Sequence, residues 1–343
     1  MQAGLNFKEK LKRREVKKMW KKCIVLLLVL SFCIAGCQNQ SGDEATAVGY
    51  QVVDSQGTVI KLAQKPKRIM TTHFNLDNIL MGVVNQDRVV ALSKTMDDAA
   101  VSYIDPEAIK KPAKLPYNFS LEQVLSLKPD LIIARESTGE DRIQAYRGMG
   151  IPVYVVGNAN NVEDIKKQIQ EIGQVVGEEE SADRLLQKMQ KELAEIKNRV
   201  NSAGGESKSV MLVSKMNHSY GGKGSFFDDM CHYAGVQNAP ADTGVFNGQL
   251  MDKEVMLRAN PDYFLLSLSW ELKHDNKDGY KKEFLEDPAL SSLQAVKNEH
   301  VCYLKDKHLY ASNQNCVWAI RKIANLVYGD IFSHEEERFL KGY

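Results

Sequence analysis

The sequence predicts an α/β protein of two Rossmann-like lobes joined by a single long α-helix. Three observations predict it. From residue 50 onward, short apolar runs alternate with helix-like stretches, which means βα units and a largely parallel sheet. Residues 181–202, SADRLLQKMQKELAEIKNRVNS, then interrupt the alternation with one amphipathic helix about 33 Å long at ~1.5 Å per residue. After it the alternation restarts, and FSLEQVLSLKPDLIIA at 119–134 returns as MDKEVMLRANPDYFLL at 251–266. The expected division is residues 1–36 leader, 37–49 tether, 50–178 first lobe, 179–203 interlobe helix and 204–343 second lobe.

The leader comes first. In MWKKCIVLLLVLSFCIAGC, 19–37, two lysines precede an apolar run from Cys23 to Ala35, the layout of a secretory signal. That run is short for a membrane span, which needs ~20 apolar residues. Translation is expected to start at Met19, because the eighteen residues before it are charged and unlike a signal. The polar stretch after Cys37, QNQSGDEATAVG, reads as a flexible tether.

Tyr50–Val53 and Thr58–Lys61 flank DSQG as a hairpin. Lys67–Thr71 enters the core as a strand, and a helix through Leu76 is expected to stop at Gly82. Arg88–Leu92 and Gly150–Gly157 supply further strands. In the long helix, Leu185, Leu186, Met189, Leu193, Ile196 and Val200 keep helical spacing, Ser181 is the expected cap, and Gly204-Gly205 end it. The second lobe reads as a strand at Ser209–Val213, a helix from Ser225 to Gly235, the repeated unit, a strand at His300–Leu304, and a helix from Asn313 to Tyr328.

The repeat aligns by counting. Glu122 and Glu254 are 132 apart, as are Pro129 and Pro261, and Asp130 and Asp262. Each Glu stands two residues after a capping residue, Ser120 or Asp252, so its carboxylate lies in the first helical turn where the dipole favours it. Each Pro-Asp ends the helix and starts a strand. The competing reading is a common helix–turn–strand unit recurring by chance; the matched offsets favour two related lobes.

Six segments in this order resemble one family: KPKRIMTT, SLEQVLSLKPDLIIA, GMGIPVYVV, GKGSFFDDMCHYAGVQN, KEVMLRANPDYFLL and DPALSSLQAVKNEHVCYL. The chain resembles the class III substrate-binding proteins of ABC importers, over roughly residues 50 to 332. The resemblance implies the class III periplasmic-binding fold, a metal chelate as cargo in the interlobe cleft, and lobes that move little. The cargo is a ferric siderophore first, with cobalamin or haem as the alternative, and no resident cofactor is expected. The resemblance also implies that Glu122 and Glu254 dock with arginines of a permease dimer; a helix-dipole partner is the competing reading for each. Ile34-Ala35-Gly36-Cys37 is similar to the lipobox of bacterial lipoproteins, which implies lipid on Cys37 and an anchored, extracytoplasmic protein, on the periplasmic side or the outer face. One departure stands out: where the family often has Ser-Pro-Ser-x-x-Glu, this chain has His73 to Asn78.

Ligands of open α/β sheets bind beyond the carboxyl ends of strands. Candidate contacts are therefore His73, Phe74, Asn75, Tyr117, Asn118, Arg135 and Glu136 in the first lobe. In the second they are Lys215, Asn217, His218, Tyr220, Phe246, Asn247, Gln249, Ser269, Trp270 and Tyr310. Aromatic faces suit a large planar or catecholate ligand, and Lys215 and Arg135 suit an anionic one. His73 and His218 each follow the first strand of a lobe and could face each other across the cleft; a hydrogen-bonding surface histidine is the competing reading.

Charge and motifs exclude other classes. Residues 1–36 carry nine Lys/Arg and two Asp/Glu, so the remainder carries 36 and 42, a net of −6 that speaks against a nucleic-acid partner. The protein is expected to act as a monomer. SYGGKGSFF lacks the phosphate-loop pattern, and no G-x-S-x-G or H-E-x-x-H occurs. Not an enzyme is therefore the expectation, a chelatase-like enzyme ranking behind a receptor for a bare divalent metal. Cys231, Cys302 and Cys316 lack C-x-x-C spacing and read as buried free thiols, with a Cys302–Cys316 bridge left open.

Overall fold

The computed structural model describes residues 49–214, 217–268, 277–332 and 337–343. The leader with Cys37, and Lys215, Ser269 and Trp270, lie outside the described residues. β1 (Tyr50–Val53) and β2 (Val59–Leu62) pair antiparallel as the hairpin around DSQG. β3 (Ile69–Thr71), β4 (Val89–Ser93), β5 (Ala113–Leu115), β6 (Leu131–Arg135) and β7 (Val153–Val156) form a parallel sheet ordered β5-β4-β3-β6-β7. β8 (Ser209–Val213), β9 (Gln237–Asn238), β10 (Tyr263–Leu268) and β11 (Val301–Lys305) form a second, ordered β11-β10-β8-β9 and also parallel. Strand order reverses beside β3 in one sheet and beside β8 in the other, which creates a switch-point crevice at each carboxyl edge.

The helices of the first lobe are α1 (Phe74–Val83), α2 (Leu121–Leu127), α3 (Glu140–Gly148) and α4 (Val162–Val176). The interlobe helix α5 (Glu179–Ala203) has 25 residues. The second lobe adds α6 (Phe226–Tyr233), α7 (Ala239–Asp242), α8 (Lys253–Ala259), α9 (Lys277–Leu285), α10 (Gln294–Lys297), α11 (Asp306–Leu309) and α12 (Cys316–Tyr328).

Side chains alternate across each sheet, as the two-residue period of a strand requires. Ile69, Leu131, Ile133, Tyr154 and Val156 face α1, α4 and α5, whereas Met70, Ile132, Ala134, Val153 and Val155 face the cluster containing Val124 of α2 and Ile143 of α3. In the second sheet Val210, Leu212, Leu265 and Leu304 join the same core as α5, and Met211, Phe264 and Leu266 face a separate cluster with α8. One apolar core therefore runs from the first sheet through Leu185, Met189, Leu193 and Ile196 of α5 into the second.

Two helix boundaries differ from expectation. Ser181 is not a cap: it lies within α5, and its hydroxyl donates to Val83 O at 2.7 Å. Gly82 does not stop α1, which continues to Val83. Gly82 is small because the chain's end packs on it. A Cβ there would stand 2.6 Å from Gln314 Nε2 and 2.9 Å from a Leu185 methyl, and the Gly82 carbonyl accepts from Gly342 N–H at 2.8 Å. Residues 337–343 thus strap the second lobe back onto α1 and α5, with Arg184 Nε donating to Gly342 O at 2.7 Å and Tyr343 OH to Met81 O at 3.1 Å. Gly82→Ala is expected to overpack this joint and lower stability by about 1–3 kcal/mol, measured as a lower urea midpoint with an unchanged slope.

Candidate functional site

The repeated unit folds the same way twice. Ser120 Oγ accepts from Gln123 N–H and Asp252 Oδ1 from Val255 N–H, so each short helix is capped where expected. Each ends in a left-handed residue that is not glycine, Lys128 (φ 47°) and Asn260 (φ 38°). The following aspartates tie the turn to the first strand: Asp130 accepts from Lys67 and Arg68 N–H at 2.7 and 2.8 Å, and Asp262 from Ser209 N–H at 2.9 Å. A helix between parallel strands runs antiparallel to them, so the N-termini of α2 and α8 lie at the carboxyl edges. Glu122 and Glu254 are exposed there. The Ser120 hydroxyl and backbone hydrogen bonding hold the Glu122 carboxyl below the usual range. One turn on, Leu125 and Leu257 are 49% and 43% exposed, again 132 residues apart.

Between the lobes, His73, Phe74, Asn75 and Arg135 line a cavity of about 350 Å³ with Tyr220, Asn247 and Tyr310 of the second lobe. Its wall is latched by a polar network across the lobes. Asn75 Nδ2 donates to Ser312 Oγ at 2.7 Å and to Tyr310 O at 3.1 Å, while Asn313 Nδ2 donates to Asn75 Oδ1 at 2.9 Å. The Tyr220 and Tyr310 rings lie 5.4 Å apart, and burial raises both phenols above their usual range.

His73 caps α1: its Nδ1 accepts from Asn75 N–H at 3.2 Å. Burial, and then the Arg135 guanidinium 3.1 Å from Nε2, push its pKa down to about 3, so the imidazole is neutral at physiological pH. Two further cavities meet the first at His73. One, about 880 Å³, runs into the first lobe past Phe74, Asp77, Leu115, Tyr117 and Phe119. The other, about 190 Å³, lies between Arg135, Thr138 and Arg142. Asp77 is buried in the wall of the larger one, and burial pushes its pKa up to about 7 against hydrogen bonds that lower it. Its Oδ2 accepts from Ser93 N–H at 2.7 Å, and Oδ1 lies 2.8 Å from Thr71 Oγ1, which also lies 3.0 Å from His73 O. A protonated Asp77 completes this chain: carboxyl to Thr71, Thr71 hydroxyl to His73 carbonyl.

The structure brings together His73, Phe74, Asn75, Arg135, Tyr220, Asn247 and Tyr310, and puts Tyr117, 86% exposed, on the rim of the two further cavities. His218 and Phe246 depart from expectation. His218 is exposed, and neither residue lines these three cavities. The loop from Asn217 is tied to the segment at 248–251, His218 O and Ser219 O accepting from Met251 and Gly248 N–H, and Lys223 Nζ sits 5.7 Å over the Phe246 ring. Of the two histidines, His73 lines these three cavities and His218 does not. Among the described residues no group of three or more His, Cys, Asp or Glu side chains could hold a metal ion. Cys231, Cys302 and Cys316 are free thiols; Cys231 and Cys316 are buried, and Cys302 is partly so. Sequence reasoning missed Thr95, Asn160, Asp306 and Ser312. Asn160 and Asp306 follow β7 and β11, so the strand-end rule applied to every strand would have found them.

Residues 70–308 match the family described as periplasmic binding protein. The uncharacterized ABC transporter substrate-binding lipoprotein YvrC of Bacillus subtilis is 27% identical over 89% of this chain and 96% of its own. The petrobactin-binding protein YclQ of Bacillus subtilis is 26% identical over 84% and 92%. In fold, the haem-binding protein RhuT of Roseiflexus sp. RS-1 superimposes with a TM-score of 0.65 at 21% identity, over 77% of this chain and 98% of that one.

The Asp77 geometry has a pH consequence. Its folded pKa lies above the unfolded value of 3.8, so its burial is harmless below about pH 4 and costs progressively more stability up to about pH 7. Asp77→Asn preserves both hydrogen bonds without the charge. Its stability relative to wild type is expected to grow by roughly 3 kcal/mol between pH 4 and pH 7 in urea titrations; a gap that stays constant would refute the assignment.

Proposed function

The chain belongs to the periplasmic binding protein family, and on that basis we propose that it is the lipid-anchored, extracytoplasmic substrate-binding protein of an ABC importer and carries a ferric siderophore. It is a binding protein and not an enzyme. The observation that carries the reading is one cavity lined from both lobes, with His73, Phe74 and Arg135 on one side and Tyr220, Asn247 and Tyr310 on the other. The larger cavity that opens beside it supplies room for an aromatic or chelated body, within the range of small-molecule sites. One relative is a petrobactin-binding protein and another the binding protein of an iron-uptake system, which supports an iron chelate as cargo. The Cys37 thiol carries the anchor in this reading, and none of the helices among the described residues is long and apolar enough to cross a membrane.

Glu122 and Glu254 are the proposed contacts to the permease. Each projects from the first turn of an equivalent helix at a carboxyl edge, and each has an exposed leucine beside it, Leu125 or Leu257. Two equivalent acidic points flanking one cleft suit a permease of two related subunits, each offering a basic side chain.

Two experiments test this. Titration of the mature protein with ferric siderophores of catecholate, hydroxamate and carboxylate type, cobalamin and haem, followed by intrinsic fluorescence, is expected to give saturable micromolar or tighter binding to a siderophore. Tighter binding to haem or cobalamin would replace the cargo, and binding to none would remove the chelate reading. Joint replacement Glu122→Ala and Glu254→Ala is expected to abolish uptake in cells while ligand affinity stays within twofold; normal uptake would sink the docking assignment.

A further inference from the structure

The largest of the three cavities, about 880 Å³, is lined by the first lobe alone, and its walls are mainly apolar. Ala91 and Leu92 of β4, Val101, Leu115 and Pro116 at the end of β5, and Phe119 supply them. The polar groups between these walls are already partnered. Asp77 accepts from Ser93 N–H at 2.7 Å and lies 2.8 Å from Thr71 Oγ1. Thr72 Oγ1 lies 2.8 Å from Thr138 Oγ1, and Ser93 Oγ 2.5 Å from Thr95 Oγ1. Lys94, Asp97 and Asp98 also line the cavity, and all three are exposed. A water molecule deep inside therefore finds few free partners, and a poorly hydrated apolar pocket is a good host for an apolar group.

The loop that forms the outer wall is held on both sides. Met96 and Ile104 are buried in the main core. From the second lobe, Lys307 N–H donates to Ala100 O at 2.8 Å, and Lys307 O accepts from Tyr103 OH at 3.3 Å. Lys307 Nζ also stands 4.4 Å over the Tyr103 ring. The cavity is thus formed before any ligand arrives, which lowers the ordering cost of filling it. It is continuous with the interlobe cavity, sharing His73, Phe74, Thr95 and Val101 with it. Tyr117 supplies an independent sign of a missing occupant. Its ring stands on the rim with 86% of the residue exposed, so the fold itself gains little from an aromatic there. An apolar group in the mouth would cover that ring.

We propose that this first-lobe cavity is a second compartment of the binding site, which takes an aliphatic or aromatic arm of the cargo while the metal-bearing end lies in the interlobe cavity. The inference rests on the receptor reading above for the identity of the cargo, but the compartment is defined by this chain's own walls. It makes the preferred cargo amphiphilic, with one polar, chelated end and one apolar arm. The volume suits an arm of drug-like size. Such a ligand fills both cavities through their common boundary at His73 and Phe74, whereas a compact chelate of uniform polarity leaves the larger one to water.

The test uses the chain from Gln38 to Tyr343, which holds the whole compact unit Val48–Tyr343 without a lipid or detergent to compete for the ligand. It is titrated with N-phenyl-1-naphthylamine, an uncharged molecule whose fluorescence rises in apolar surroundings. The expected result is saturable binding of one molecule per chain with a Kd in the micromolar range. Binding is expected to be at least tenfold weaker in Ala99→Trp, which puts an indole on the cavity wall, and at least threefold weaker in Tyr117→Ala. Ala99 and Tyr117 are exposed, so both variants are expected to fold, and thermal melts check this. Absence of saturable binding in the wild type, or two variants that bind within twofold of it, would overturn the compartment. The chelate captured in the titration above is then added to the naphthylamine complex. Displacement supports an arm of the cargo, whereas simultaneous binding of both would overturn that assignment in favour of a separate apolar molecule. The failure modes separate. Capture of a chelate with no naphthylamine bound keeps the receptor and removes the compartment, and variant-sensitive naphthylamine binding with no chelate captured does the reverse.

Discussion

Both sheets bury one face in a single apolar core that α5 runs through, and that shared burial decides where everything else lies. Val210, Leu212 and Leu265 of one sheet and Ile69, Leu131 and Ile133 of the other belong to one apolar core with Leu185, Met189, Leu193 and Ile196. Shearing the lobes apart would expose that core at ~25 cal/mol per Å². The strap at 337–343 adds hydrogen bonds from the far end of the chain, and Arg321 of α12 reaches Glu192 and Glu195 of α5 from inside the second lobe. The Asn75–Ser312–Asn313 network then closes the lobes together at the cleft itself. A cleft held this way is largely preformed, and its ligand need not supply the energy of a large closure.

The electrostatics of the cleft follow from the same burial. Desolvation disfavours whichever form carries charge, so it lowers His73 and raises Asp77 in neighbouring walls. Both groups are thereby moved toward neutrality, and desolvation lowers Arg135 in the same way. On the first lobe's side of the cleft Arg135 and Arg142 stand near aromatic rings, while Lys94, Asp97 and Asp98 line the larger cavity.

The repeated unit separates structural from functional demand. Asp130 and Asp262 are fully accounted for by the backbone N–H groups they accept, and Lys128 and Asn260 by the left-handed turn that lets Pro-Asp begin a strand. Ser120 and Asp252 are accounted for as caps. Glu122, Glu254, Leu125 and Leu257 have no comparable role inside the fold. They are exposed, and Glu254 has only a loose contact of 3.8 Å with Arg258. Duplication of side chains that the fold does not need is what makes the pair read as a surface for a partner.

Elements with local causes were legible in the sequence. Alternating apolar runs specified parallel strands, helical spacing specified α5, and capping chemistry specified α2, α6 and α8, because each depends on neighbours within a turn or two. The 132-residue repeat was equally plain, as were most of the strand-end cleft residues, His73, Arg135, Tyr220 and Tyr310 among them. The roles of Gly82, Ser181 and Arg142 emerge only once the chain is folded. Gly82 is small because residues more than two hundred positions away pack on it, and Ser181 bonds a carbonyl from another helix. Arg142 stands in the first turn of α3, seven residues past the end of β6, and shares a cavity with Arg135 because that turn lies at the carboxyl edge of the sheet. Such outcomes depend on which distant surfaces meet, and local spacing carries no record of that.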